Sequence, residues 1–151
     1  MIIENDSIEL RNVVSRRYFI HYSKFAEAME DFFQEISLMK LTPTGTFFYS
    51  LNNVPINGNM ALEFFMAIEE MDIPKHEGLF FRSYFTVSNM LMTCLTGQFA
   101  QLTEKSYAEL LLFMRVNRLE MASPIFHFFK GTRDFQYVEL KVGVQDANGE
   151  E

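Results

Sequence analysis

A chain of 151 residues with 48% hydrophobic and 22% charged side chains is long enough for a packed core and has the balance of a globular protein. A net charge of −7 and a pI of about 5.0 argue against a nucleic-acid partner, which calls for a basic face to replace condensed counterions. A single cysteine, Cys94, rules out an internal disulfide, and its apolar neighbours suit a small buried hydrophobe better than a reactive thiol.

The opening residues, MIIENDSIEL, lack the positive region and long apolar run of a secretory leader. No stretch reaches the roughly twenty apolar residues that cross a bilayer, so the expectation is a cytoplasmic protein without membrane insertion. Residues 7–21 are rich in β-branched and aromatic side chains and read as one or two strands. In SKFAEAMEDFFQEISLM the period changes: Phe25, Met29, Phe32, Phe33 and Ile36 form one helical stripe. Pro43 and Gly45 are expected to stop that helix. TFFYSL follows as a strand, NNVPINGN as a loop and MALEFFMAIEE as the returning strand.

MDIPKHEG is the expected join to a second half. LFFRSYFTVSNMLMTCLTG reads as two strands turned at Ser88–Asn89. QFAQLTEKSYAELLLFMRVNRL is a second helix, with Leu102 or Thr103, Tyr107, Leu110, Leu111 and Met114 along its stripe. SPIFHFF and FQYVELKVGV pair as a hairpin turned by KGTRD, and the acidic tail of residues 146–151 frays. Set at an offset of 78, Phe32, Phe33, Ile36 and Phe48 fall on Leu110, Leu111, Met114 and Phe126. The offset drops to 76 for the last strands, where Glu63 matches Glu139. One register across helix, turn and hairpin points to an internal duplication within a single domain, with repeats at about 7–70 and 79–145.

Two strand–helix–strand–strand units of this length resemble the GyrI-like small-molecule-binding fold, which also serves as the effector-binding domain of some bacterial regulators. The motifs that carry the likeness are the helix ends L-x-P-x-G and M-A-S-P, an aromatic strand after each, and last strands that open near Glu63 and Glu139. The resemblance implies an α+β fold in which two antiparallel sheets form a cleft and the helices lie outside. Gly143 stands where that family often carries Pro, and His127 where it often carries Glu; the second departure counts against the cationic drugs that some relatives bind. In general character the chain is also similar to Firmicute proteins encoded beside type VII secretion and toxin genes. That likeness implies an accessory or chaperone-like factor for a secreted toxin.

Strand alternation is expected to turn Phe48, Phe126 and Phe128 toward the helices. Phe47, Tyr49, Glu63, Phe65, His127, Tyr137 and Glu139 then share the far side and form the candidate cleft for a ligand or partner. Rings and carboxylates together suit a planar, hydrophobic or cationic organic molecule. The cheaper alternative is that the sheets pair and Phe side chains fill the groove. His21, His76 and His127 stand apart, so neither a metal nor a cofactor is expected. No nucleophile has a base placed beside it by local sequence, and phosphate-loop spacing is absent, so catalysis is not expected. The function expected from this is a non-catalytic binding factor for a type VII substrate or toxin; the alternative is a small-molecule sensor lacking a DNA-binding domain, and a third reading is a homodimer with a scaffold role.

Overall fold

Nine elements follow one another in a computed structural model that describes residues 1–52, 57–96, 99–131 and 136–147, without the side chains of 99–104. β1 spans Ile3–His21 and a short 3-10 turn spans Tyr22–Lys24, leading into α1 at Phe25–Leu38. β2 (Pro43–Leu51), β3 (Asn59–Ile68) and β4 (Leu79–Thr96) follow, then α2 (Phe99–Val116), β5 (Leu119–Gly131) and β6 (Gln136–Asp146). Residues 53–56 of the first hairpin loop, 132–135 of the second, the end of the acidic tail and the side chains of Leu102 and Thr103 lie outside the description. Among the described residues, no helix is long and apolar enough to cross a membrane. The fold is mostly antiparallel sheet with two helices, as an α+β reading requires.

The chain divides into two units, Glu9–Thr86 and Met1–Ile8 with Val87–Glu151. In the first, β3 is central, antiparallel to β1 on one side and β2 on the other. Phe32, fully buried on α1, meets Phe47 and Phe64 at ring centroid distances of 6.3 and 5.8 Å. Ala28 and Ile36 complete the buried stripe, whereas Phe33 sits at its margin and stays partly exposed. The helix ends before Pro43 is reached. Lys40 takes a left-handed φ of 57°, and the Leu41 amide reaches back to the Ile36 carbonyl.

In the second unit, β6 is central between β4 and β5. Leu110 and Met114 of α2 pack with Leu91, Leu140 and Val142. Leu111, expected on the same stripe, is 51% exposed, because it sits at the edge of the arc that Leu110 and Met114 bury. The helix ends at Val116, and Arg118 just beyond it again takes a left-handed φ, here 55°.

β4 is one strand of 18 residues where two were expected. Asn89 adopts a φ of 54°, which Asn tolerates better than most residues, and its side-chain amide donates to the Val144 carbonyl at 2.8 Å. The residue that signals a turn in the sequence therefore sits, with its left-handed φ, inside a continuous strand.

The faces of β2 and β5 are opposite to expectation. Antiparallel partners project to the same side, and the hairpins pair Tyr49 with Phe64 and Phe48 with Phe65. Phe47 and Tyr49 thus join the core beneath α1, and Phe48 turns to the far face. Pairing of His127 with Leu140 and of Phe128 with Glu139 does the same in the second unit, where His127 and Ile125 lie beneath α2.

Candidate functional site

On the far face of the Glu9–Thr86 unit, β3 carries Glu63 and Phe65, β1 carries Ser15 and Arg17, and β2 carries Phe48. Ser15 pairs with Phe65 and Arg17 with Glu63 across the β1–β3 ladder, which brings a hydroxyl and a cation to the carboxylate. Glu63 is only 5% exposed. Its Oε2 accepts a 2.6 Å hydrogen bond from the Ser15 hydroxyl. Arg17 Nε lies 3.5 Å from Oε1 and Arg82 Nη2 3.6 Å from Oε2. Burying a carboxylate is costly unless it is paired and hydrogen-bonded, and these three groups meet that condition.

Beside the carboxylate stands an aromatic wall. The Phe48 and Phe65 rings stack at 4.7 Å with 3° between their planes, and Phe85 of β4 meets them at 5.7 and 5.1 Å. The Arg82 guanidinium lies 5.8 Å from the ring centroids of both Phe65 and Phe85. Arg82 Nη1 also donates to the Ser15 hydroxyl at 2.8 Å. Ser, Glu, Arg and three Phe rings therefore form one contiguous, largely buried cluster in which ring faces and a carboxylate, the groups that attract a cation, lie side by side.

The other unit has its own polar cluster. Lys141 Nζ lies 3.1 Å from Asp6 and 3.9 Å from Glu139, donates to the Ser7 carbonyl at 3.2 Å, and stands 5.1 Å from the Phe128 ring centroid. Tyr137 is two positions before Glu139 on the same face of β6. Cys94 of β4 pairs with Glu139 across the ladder. Cys94, expected to be buried, is instead exposed, because it lies on the opposite face of β4 from the buried Leu91, Thr93 and Leu95. What desolvation remains, and then the Glu139 carboxylate, push its thiol above the ordinary pKa. Alkylation by iodoacetamide should accordingly go on accelerating above pH ~8.5, the usual thiol midpoint. A rate that levels off below that pH would show an activated thiol instead.

Of the residues expected in the cleft, Glu63 and Phe65 come together, and Tyr137 and Glu139 share a face of the other unit. Phe47 and Tyr49 are core residues. Tyr49 meets Phe25 edge-on at 5.1 Å, and burial raises its hydroxyl pKa to about 12. His127 is buried, and its Nε2 shares a 2.5 Å hydrogen bond with the Tyr107 hydroxyl of α2. Ser15, Phe48, Arg82 and Phe85 were not anticipated. The one available signal was Arg82 itself, a lone cation in the apolar run LFFRSYF. Among the described residues no three His, Cys, Asp or Glu side chains gather as a metal site.

Solved structures share this fold. The C-terminal domain of EcmrR matches with a TM-score of 0.78 at 16% identity, over 97% of this chain and 98% of that one. In the EcmrR–DNA complex the same likeness spans 57% of the EcmrR chain. SAV2435 bound to tetraphenylphosphonium matches with a TM-score of 0.58 at 11% identity, over 99% and 98% of the two chains. A conserved protein from Listeria innocua matches with a TM-score of 0.58 at 10% identity, over 94% and 92%. These neighbours are consistent with a GyrI-like α+β fold, and at such identities the likeness is one of fold alone. No curated protein matches the chain, and nothing found bears on type VII secretion. A family model described as "Domain of unknown function (DUF5085)" matches residues 9–146.

Proposed function

The chain belongs to the DUF5085 family, and from that membership, its fold and the Glu63 cluster we propose that it is a non-catalytic small-molecule-binding protein of the effector-binding type. The observation that carries this reading is a buried carboxylate set against stacked phenylalanine rings. Cation–π attraction is worth up to about 2 kcal/mol when the cation is desolvated, and an adjacent carboxylate adds to it. A lipophilic aromatic cation satisfies both parts at once. The neighbour SAV2435, bound to tetraphenylphosphonium, supports the same ligand class. No observation favours a secretion client over a small molecule.

The pseudo-repeat belongs to the same proposal. Lys40 and Arg118, the left-handed residues that end α1 and α2, are 78 positions apart, the offset at which the two halves align. Duplication of one unit supplies two carboxylate-bearing strands, with Glu63 on one and Glu139 on the other.

Titration calorimetry with tetraphenylphosphonium tests the site. The wild-type protein is expected to bind, and Glu63→Gln, which keeps a hydrogen-bond acceptor for Ser15 but removes the charge, to bind at least about tenfold more weakly. Equal affinity of the two proteins would place the ligand elsewhere.

A further inference from the structure

The place on the β3 face that suits a cation is held by a side chain of the protein itself. Arg82 stands 5.8 Å from the centroids of Phe65 and Phe85, 3.6 Å from Glu63 Oε2, and donates at 2.8 Å to the hydroxyl that in turn donates to Glu63. Its contacts are therefore those a ligand's cation would make: ring faces and a carboxylate. Arg17 also approaches Glu63, but its side chain is 66% exposed and its guanidinium lies over Phe80 at 5.4 Å, away from the stacked pair. One carboxylate and two guanidinium groups leave this cluster with a net positive charge. An organic cation approaching an undisplaced Arg82 meets like charge at 332/(ε·r), and that repulsion is stronger near protein than in water. The Arg82 side chain is 34% exposed, so it has a route into solvent.

We infer that Arg82 is an internal cation that fills the site and must swing toward solvent before an organic cation binds, so that it sets both affinity and charge preference. This rests on the Glu63 face being the ligand site. Apparent affinity for a cation is then lowered by the fraction of time Arg82 spends displaced. An aromatic anion faces the opposite balance, because it can pair with Arg82 in place.

Tetraphenylphosphonium and tetraphenylborate have the same shape and opposite charge, which makes them the probes. Both are titrated into the wild-type protein, Arg82→Met and Glu63→Gln, with thermal melts showing that each variant is folded. Arg82→Met, whose chain still covers the rings, is expected to bind the phosphonium about tenfold more tightly and the borate more weakly. Arg82→Gln serves if the methionine variant fails to fold. An unchanged ratio of the two affinities, or weaker phosphonium binding by a folded Arg82 variant, overturns the gate. If Glu63→Gln still loses the phosphonium in that case, the site itself stands. Absence of binding of either ion to any of the proteins overturns the site, and the gate with it.

Discussion

Phe32→Asp is expected to abolish the folded state. Phe32 has no exposed surface and touches the rings of Phe33, Phe47 and Phe64, so the substitution removes the centre of the α1 core. Loss of a buried Phe side chain costs about 3–5 kcal/mol on its own. The aspartate adds an unpaired charge in apolar surroundings, a further cost of several kcal/mol unless it takes up a proton. Together these reach the roughly 5–15 kcal/mol that holds a domain folded. Urea titration followed by circular dichroism should show no cooperative transition. A soluble variant with wild-type helical signal would mean that α1 buries another face.

Phe48→Ala should rank next, at about 3–5 kcal/mol of lost stability, because Phe48 is fully buried and stacked on Phe65. The more informative quantity is its coupling. Stacked aromatic pairs are worth about 0.5–1.5 kcal/mol beyond their buried area, so a double-mutant cycle of Phe48→Ala with Phe65→Leu should return a term of that size. A cycle of Phe48→Ala with Phe32→Leu should be additive, since the two residues lie on opposite faces of the sheet. The reverse pattern would restore the face assignment that the sequence suggested. Phe65 is itself only 3% exposed, so a charge placed there, as in Phe65→Asp, would perturb folding as much as any binding.

The helices and their core residues were legible because polar and apolar residues alternate with a helical period along α1, and Phe32 and Ile36 were placed correctly. β3 was legible for a related reason: Glu63 marks one face and Phe64 with Leu62 the other. β2 and β5 were not. TFFYSL and PIFHFF are apolar at consecutive positions, so alternation carries no information there, and the inward face is chosen by hairpin pairing across a loop. Phe47, Tyr49 and His127 were misplaced on that account. Arg82 and Ser15 were hidden for another reason. Their roles depend on hydrogen bonds between residues 48 and 67 positions apart, a distance that local pattern cannot span.

The division of the chain bears on the order in which it folds during synthesis. Glu9–Thr86 is contiguous and can close as soon as it leaves the ribosome. The other unit recruits the first eight residues, and its contacts include Thr93 to the Met1 carbonyl, 92 positions apart, and Lys141 to the Ser7 carbonyl, 134 apart. Residues 1–8 are thus made well before the partners they find. Until β6 is made, Ile2 lacks Val138, Leu140 and Val142 of the core it packs against, and joining the two requires loop closure over most of the chain, the kind of long-range contact that slows folding.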